Sequence, residues 1–356
     1  MPVEEKLHDE AIALLKQLIA IPSFSKEENR TADMLLAFFE QKGLKAHRHL
    51  NNFWVLNKYF DSSKPSILLN SHHDTVKPNA QYTRNPFEAV VEEGKLYGLG
   101  SNDAGGCVVS LMAAFLHYYS LQNLKYNLVI AITAEEEISG KNGVEATLPL
   151  LPAIDVAIVG EPTQMNLAVA EKGLLVLDAV AKGRSGHAAR EEGDSAILKA
   201  MRDIHWISTY RFPRVSEWLG DVKMSVTVIN TENKAHNIVP SECRFVIDVR
   251  VPDGYTHEEI FQTIQEHLQS EITPRSLRLR ASSIDINHPL VKAGVAMGKS
   301  CYGSPTTSDS ALMNFPTLKC GPGDSARSHT ANEFIFVEEI KTGIRDYIRL
   351  LDGVIF

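Results

Sequence analysis

"NLVIAITAEEEISG" (residues 127–140) is an apolar run that leads into three consecutive glutamates. Its first seven residues predict a strand that is buried along its whole length, and Glu135, Glu136 and Glu137 follow that strand almost at once. Strands that are apolar throughout and alternate with helices are typical of a mainly parallel sheet covered on both faces. The stretch therefore predicts an α/β fold. It also raises the question of why three carboxylates crowd at the carboxyl end of a strand.

The neighbouring sequence repeats this pattern of apolar strands and helices. Residues 66–76 ("SILLNSHHDTV") and 155–160 ("DVAIVG") predict two more strands, and residues 107–119 ("CVVSLMAAFLHYY") predict a helix. Residues 29–42 predict another helix, which Ser25 and Glu28 of "SKEE" would open as a capping box. The first part of the chain therefore predicts a layered domain of strands and helices.

From about Gly173 the pattern changes to a β-α-β-β-α-β order, which is the ferredoxin-like arrangement. The first and last strands of such a unit can lie side by side, so it can be inserted into a loop of another domain. Helical periodicity returns after residue 285. We therefore expect a discontinuous main domain, residues 1–172 and 285–356, interrupted by a smaller domain, residues 173–284. The predicted elements of the smaller domain are strand 174–181, helix 194–210, strands 222–230 and 243–251, helix 256–268 and strand 277–283. Thr256 and Glu259 would form a capping box at the start of the second of these helices.

Length and composition exclude several classes of protein. A chain of 356 residues exceeds what one hydrophobic core usually serves, so two domains are expected. A formal charge of −8 argues against nucleic-acid binding, which needs basic surface. No apolar run approaches the length of a membrane span, and the charged first residues do not resemble a signal peptide. The four cysteines form no CxxC pair. We therefore expect a cytoplasmic protein with no nucleic-acid or membrane partner.

Metal-type ligands stand at the predicted strand ends and in the adjoining loops. In an open α/β sheet, ligands gather outside the carboxyl ends of the strands, so we expect these side chains to converge. Each signal has an ordinary alternative when taken alone: a histidine in a loop can be solvated, Asp103 can cap the following helix, and the glutamates can form a solvated strand end. The convergence of two histidines with several carboxylates favours a metal site. The candidate residues are His72 and Asp74 in "SHHDTV", Asp103 in "GLGSNDAGG", Glu136 and Glu137, Glu161 in "VGEPT", and His329 in "SARSHTANE".

The order and spacing of these motifs, together with "GRSGHAA" and "NIVP", resemble the M20 dinuclear zinc amidohydrolases and peptidases. The resemblance covers nearly the whole chain and is strongest to the branch of acetylornithine deacetylase and succinyl-diaminopimelate desuccinylase. It implies an enzyme with two Zn²⁺ ions, for which Co²⁺ can substitute. His72, Asp103 and Glu161 would hold one ion. Asp103, Glu137 and His329 would hold the other, with Asp103 as the bridge.

The resemblance also implies catalytic roles for two further residues. Glu136 would be the general base, and Asp74 would steady the ring of His72 through its second nitrogen. Glu135 receives no chemical role. Successive residues of a strand face opposite ways, so Glu136 and Glu137 can share one site only if the strand ends before them. Paired cations beside Glu137 would make the crowding of the carboxylates tolerable.

Three residues of the smaller domain are implied to contact the substrate. His187 in "GRSGHAA" matches a histidine that binds the oxyanion, often across a dimer interface. Asn237 and Arg250 match positions that bind the substrate carboxylate, for which the planar fork of arginine is suited. The alternatives are a solvated loop histidine at His187 and an ordinary surface ion pair at Arg250. A homodimer formed through the inserted domain is likewise an implication of the resemblance.

The implied reaction is hydrolysis of the amide bond of an N-acyl amino acid. N-acetylornithine, in arginine biosynthesis, is the favoured substrate. N-acetylcitrulline, N-succinyl-ornithine or N-succinyl-diaminopimelate, acetyl-lysine and small dipeptides are alternatives, and a non-catalytic scaffold with this fold is an alternative of another class. Leu99 stands where the branch commonly has arginine, and Ala104 and Gly105 stand where it has methionine and lysine. These departures leave the acyl group and the amino acid open.

Overall fold

The computed structural model describes residues 3–190 and 192–356. The helices in these residues are α1 (Val3–Ile19), α2 (Asn29–Gln41), α3 (Gly106–Tyr118), α4 (Val144–Thr147), α5 (Ala196–Thr209), α6 (His257–His267), α7 (Pro289–Ala296) and α8 (Val337–Ile355). The strands are β1 (Ala46–His49), β2 (Asn52–Leu56), β3 (Ser66–His72), β4 (Val90–Glu92), β5 (Lys95–Tyr97), β6 (Asn127–Thr133), β7 (Val156–Val159), β8 (Leu167–Glu171), β9 (Gly173–Lys182), β10 (Gly186–His187), β11 (Lys223–Asn230), β12 (Ile238–Val239), β13 (Glu242–Val251), β14 (Glu271–Pro274), β15 (Ser282–Ser283), β16 (Cys301–Ser304), β17 (Thr317–Lys319) and β18 (Phe334–Phe336). Within these two ranges no helix has both the length and the hydropathy that a membrane span requires.

The chain divides into two compact units. The first consists of Met1–Val169, Ser283–Tyr302 and Ser308–Phe356, and the second of Ala170–Ser282 and Gly303–Thr307. The short segment 303–307 of the second unit has no counterpart in the sequence-based division. The predicted domain boundaries, 1–172 with 285–356 and 173–284, stay a prediction.

The sheet of the first unit runs in the order β1-β2-β6-β3-β7-β17-β8. Its four central strands, β6, β3, β7 and β17, are parallel to one another, and the strands outside them pair antiparallel. Every residue of β3, β6 and β7 is buried, which explains why these strands are apolar throughout instead of alternating. The prediction of a mainly parallel α/β sheet is confirmed.

Helix α3 is the central helix of the first unit. It packs against α1 and α8 as well as against β3 and β6, and nearly all its side chains are buried. Its partners Leu15 of α1 and Tyr347 of α8 belong to the same hydrophobic core. Because α3 begins at Gly106, its start fixes where the preceding turn, with Asp103, can lie.

The second unit contains a four-stranded antiparallel sheet in the order β11-β13-β9-β14. Its first and last strands in the chain, β9 and β14, are neighbours, as the ferredoxin-like prediction requires. Helices α5 and α6 contribute Ala200, Ile207, Ile260 and Ile264 to the core of this unit. The capping box predicted at the start of this second helix, with Thr256 and Glu259, is present in both of its hydrogen bonds. The ferredoxin-like arrangement is confirmed.

The last strand of this motif was predicted in the wrong place. The sequence favoured residues 277–283, of which only β15, Ser282–Ser283, is a strand, whereas the strand that pairs with β9 is β14, Glu271–Pro274. The alternation of leucine and arginine in 277–283 reflects burial, since Leu279 is buried and Leu277 packs on the core. An alternating sequence pattern therefore does not by itself show that the backbone of a segment hydrogen-bonds to a neighbouring strand.

The predicted capping box at α2 is also wrong. Glu28 is the residue that precedes the helix, and no side chain caps the first turn. The Ser25 hydroxyl instead donates to Asp74 Oδ2 at 2.7 Å. The buried carboxylate of Glu28 accepts from the Lys26 and Glu135 backbone N–H groups. Both residues of the predicted capping box thus form hydrogen bonds to the loops that follow strands β3 and β6.

Candidate metal centre

The carboxyl ends of the parallel strands bring the candidate side chains to one edge of the first unit. His72 is the last residue of β3 and pairs with Thr133, the last residue of β6. Glu136 and Glu137 follow in a short 3-10 turn, and Glu161 comes two residues after β7. The sheet therefore ends as predicted before the glutamates begin, and the turn allows both to face the same side.

His72 lies at the centre of the cluster. Its Nε2 atom is 3.3 Å from Asp103 Oδ1, 3.8 Å from Glu161 Oε1 and 3.9 Å from Glu136 Oε2. Ligand atoms of one tetrahedral zinc ion, each about 2.1 Å from the metal, lie roughly 3.4 Å apart. These separations are therefore those of side chains that can share an ion.

His329 approaches the same carboxylates from a loop. Its Nε2 atom is 2.9 Å from Glu137 Oε2 and 3.7 Å from Asp103 Oδ2. The two oxygens of Asp103 thus face different imidazoles, Oδ1 towards His72 and Oδ2 towards His329. That arrangement suits a carboxylate that bridges two ions.

The tightest groups of donor atoms differ in detail from the predicted ligand sets. His72 with Asp103 and Glu137 forms one group, and His72 with Glu136 and Glu161 forms the other, all atoms of each lying within 4.8 Å. The side chain of His329 is 55% exposed and lies at the rim. The five predicted ligands and Glu136 meet at one place, but the division of the ligands between two ions stays a prediction.

Asp74 has more partners than the sequence indicated. The Nδ1 atom of His72 lies 3.1 Å from the Asp74 carbonyl oxygen and 3.4 Å from its carboxylate. That carboxylate accepts from the backbone N–H groups of Glu136 and Glu137, at 3.0 and 3.2 Å, and from Ser25. Asp74 therefore orients both the imidazole and the turn that carries the two glutamates.

Glu135 turns away from the other two glutamates, which resolves much of the crowding. Its φ of 55° lets the chain leave the strand, and its carboxylate accepts from the backbone and side-chain nitrogens of Asn142. A Cβ atom at Gly140 would lie 2.0 Å from Glu135 Oε2, so glycine is required there. Glu135 thus holds the following loop, a role that the sequence did not indicate.

The remaining carboxylates carry an excess of buried negative charge. Burial raises the pKa of Glu136 well above its usual range. The charge of His72 lowers this pKa, whereas the nearby charges of Glu161, Asp309 and Glu137 raise it further. Buried charges need opposite charge close by. Imidazole nitrogens and carboxylate oxygens are also the donors that zinc takes in proteins. The cluster therefore fits a pair of divalent cations both in charge and in donor type.

Two further buried carboxylates adjoin the cluster and were missed by the sequence analysis. Asp309 accepts from the Thr133 hydroxyl at 2.7 Å, at the end of β6. Glu333 accepts from the backbone N–H groups of Gly100, Asn102 and Asp103. Burial and the charge of Asp103 raise the pKa of Glu333 to about 8. The sequence contains one signal for Glu333. It is a charged residue directly before the apolar "FIF" of β18, a position at the edge of a hydrophobic core.

The second unit holds the three predicted substrate contacts. His187 on β10 pairs with Ile238 on β12, and Ala188 N–H donates to the carbonyl of Asn237, so His187 and Asn237 are neighbours on the surface of this unit. Arg250, at the end of β13, makes two hydrogen bonds to Asp248, at 2.8 and 3.0 Å. Its fork is therefore engaged by a neighbour, and binding a substrate carboxylate would require an exchange of partners.

Comparison with known proteins identifies the family. A sequence model of peptidase family M20/M25/M40 matches residues 68–353. An acetylornithine deacetylase from Myxococcus xanthus is 26% identical over 358 residues, 92% of this chain and 93% of the relative. A succinyl-diaminopimelate desuccinylase from Rickettsia bellii is 24% identical over 282 residues, 74% of this chain and 72% of the relative.

Solved structures share the fold. A dinuclear metal-binding peptidase of the M20 family from Bacillus subtilis superposes with a TM-score of 0.72 at 16% identity, covering 98% of both chains. At this identity the likeness concerns the fold alone. Together with the family match over most of the chain, it leads to one conclusion. The protein belongs to peptidase family M20/M25/M40 and is a hydrolase of that family.

Proposed function

We propose that the protein is a zinc-dependent deacylase that hydrolyses the amide bond of a short-chain N-acyl amino acid. The favoured substrate is N-acetylornithine, in arginine biosynthesis. The observation that carries the proposal is the convergence of two imidazoles and four carboxylates on one edge of the sheet. The acetylornithine deacetylase and desuccinylase relatives support a deacylase, and their low identity leaves the substrate to experiment.

The proposed ligand sets are those implied by the sequence. His72, Asp103 and Glu161 would hold one Zn²⁺, and Asp103, Glu137 and His329 the other, with Co²⁺ able to substitute. Two such ions supply Lewis acidity to the amide oxygen and lower the pKa of bound water to about 7. The orientation of the two Asp103 oxygens towards different imidazoles supports this division.

Glu136 is proposed as the general base and acid. Its carboxylate accepts a proton from the water that attacks the amide carbon, and it returns that proton to the leaving nitrogen as the C–N bond breaks. Asp74 supports this role by accepting hydrogen bonds from the Glu136 and Glu137 backbone. The backbone that carries the Glu136 carboxylate is thereby held in place.

The second unit is proposed to recognise the substrate. His187 would donate to the oxyanion, and Asn237 and Arg250 would bind the substrate carboxylate. The proximity of His187 to Asn237 supports a shared role for these two. A panel of N-acetylornithine, N-acetylcitrulline, N-succinyl-ornithine, N-succinyl-diaminopimelate, acetyl-lysine and dipeptides would identify the substrate. Turnover of none of them by the zinc-loaded protein would favour a non-catalytic scaffold. A cytoplasmic location also stays a prediction.

Removal of the metals tests the proposed reaction class directly. Treatment with a chelator is expected to abolish deacylation, and adding two equivalents of Zn²⁺ or Co²⁺ should restore it, because the proposed reaction needs the Lewis acidity of the metals. Amine release from the substrate panel and elemental analysis of the same samples measure the result. Full activity in protein that contains no divalent metal would contradict the proposal.

A homodimer through the inserted unit is the proposed quaternary structure. Strand β11 is an edge strand, and its Val228 and Ile229 are 53% and 54% exposed. Helix α5, which contacts β11, exposes Leu198 and Met201. An open sheet edge flanked by apolar side chains can pair with a second copy.

Charge placed on this edge should dissociate the dimer. Ile229→Lys is expected to convert dimer to monomer, because a lysine on an edge strand opposes edge-to-edge pairing. Light scattering after gel filtration measures the mass. Val295→Lys, at an exposed position of α7 in the first unit, serves as the control and should leave the mass unchanged. A wild-type protein that is monomeric at micromolar concentration would remove the dimer from the proposal.

A further inference from the structure

Glu333 is a buried carboxylate to which the proposed chemistry gives no role. It is only 2% exposed, and it lies four residues after His329. Its Oε1 atom accepts from the backbone N–H groups of Asn102 and Asp103, both at 2.9 Å. Its Oε2 atom accepts from the backbone N–H of Gly100 at 3.0 Å. One side chain therefore holds three backbone donors of a single turn.

That turn carries the carboxylate on which both predicted ion sites depend. Asp103 Oδ1 is 3.3 Å from His72 Nε2, and Asp103 Oδ2 is 3.7 Å from His329 Nε2. A displacement of the Asp103 backbone would change both distances together. The turn also has little side-chain anchoring at its start, where Gly100 has a φ of +72°. The Asn102 side chain also fixes the turn, through hydrogen bonds to Asp324 and Ser328. Glu333 adds the hydrogen bond to the backbone N–H of Asp103 itself.

The chain that leads from His329 to Glu333 is also fixed by hydrogen bonds. The carbonyl of Glu333 accepts from Gly98 N–H at 3.0 Å, and the side chain of Asn332 accepts from the backbone N–H groups of Thr83 and Arg84. Asn79 donates to the carbonyl of His329. The loop with His329 and the turn with Asp103 are therefore joined at Glu333.

We propose that Glu333 is a positioning residue that ties the Asp103 turn to the His329 loop. In this way Glu333 sets how tightly the protein binds the two metal ions. The proposal rests on the proposed metal centre. The competing interpretation is that Glu333 only satisfies buried N–H groups, as many buried carboxylates do. That role would lower the stability of the fold without changing metal affinity, so the two interpretations predict different measurements.

The test is Glu333→Gln in the full-length protein. A glutamine can keep its oxygen at the Oε1 position, but its amide nitrogen then faces the Gly100 N–H, so two donors oppose each other. Loss of such an outer hydrogen-bond partner typically weakens metal binding about 10–100-fold. We expect a drop of this size, larger at the site that includes His329, in Zn²⁺ titrations of metal-free protein against a competing chelator. The visible spectrum of the Co²⁺-loaded protein should change in parallel.

Asp203→Asn is a matched control. Asp203 is a buried carboxylate of the second unit that accepts from the backbone N–H groups of Gln269 and Ser270 and from the Ser270 hydroxyl. Its replacement should lower the melting temperature and leave both metal affinities unchanged. If Glu333→Gln does not fold, Glu333→Asp keeps the charge on a shorter side chain and is judged by the same titration.

Two outcomes overturn the proposal: wild-type affinity in a folded Glu333 variant, whether glutamine or aspartate, or an equal loss of affinity in Asp203→Asn. These results are distinct from failure of the proposed function. That failure would appear in the wild-type protein, as an absence of metal binding or of amide hydrolysis.

Discussion

Glu136→Gln is expected to lower kcat by about 10²–10⁴-fold while both metal ions remain bound. Glutamine has nearly the shape of glutamate, but its amide cannot take a proton from the attacking water. The substrate does not depend on this proton transfer to bind, so KM should change little. Steady-state kinetics and elemental analysis of the same preparation provide the measurement.

The experiment also decides between two roles for Glu136. Its Oε2 atom is 3.9 Å from His72 Nε2, and Glu136 forms one of the tight donor groups with His72 and Glu161. A ligand role would make the glutamine variant lose metal in proportion to activity. A general base would make it lose activity alone. Unchanged turnover with two bound ions would remove Glu136 from catalysis altogether.

Glu135→Gln is the natural comparison, because it removes one negative charge from the same run of three glutamates. The Glu135 side chain holds Asn142 and faces away from the cluster. Its replacement is expected to destabilise the loop, with a much smaller effect on kcat than at Glu136. Equal losses at both positions would indicate a general electrostatic effect instead of proton transfer at one carboxylate.

The sequence predicted those parts of the molecule that a local pattern determines. Apolar runs such as 127–133 gave the buried parallel strands, and the capping box of Thr256 and Glu259 gave the start of α6. The convergence at the strand ends also followed, because parallel strands place their carboxyl ends at one edge. These inferences need only a short segment and a rule about its neighbours.

The parts that the sequence did not predict depend on partners distant in the chain. Ser25 and Glu28 have the spacing of a capping box, but their side chains bond to Asp74 and Glu135. The role of Glu333 depends on a turn some 230 residues earlier in the chain, and no feature of the sequence near Glu333 indicates that turn. Residues 277–283 alternate as a strand does, although the ladder forms at β14. In each case a tertiary hydrogen bond decided between local alternatives.

Asp103→Ala should have the largest effect of any single change, because it removes the carboxylate whose two oxygens face the two imidazoles. The bound zinc is expected to fall from two ions per chain to one or none. Lewis-acid catalysis is worth several kcal/mol, and each 1.36 kcal/mol is a factor of ten in rate, so activity should fall by at least about 10³-fold. Elemental analysis and single-turnover rates measure both quantities.

The same change should cost much more stability with metal than without it. In metal-free protein burial acts to raise the pKa of Asp103, but the hydrogen bond and charge of His72 and the charge of His329 lower it overall, so removing this carboxylate should leave the melting temperature unchanged or lower it. With zinc present, binding to the folded state stabilises the wild type, and this gain should largely disappear in the variant. Asp155→Asn is the control. Its carboxylate accepts from Ser66 N–H at the opposite end of β3, so zinc should still stabilise that variant. A zinc-induced stabilisation of Asp103→Ala equal to that of the wild type would show that Asp103 does not bridge the ions.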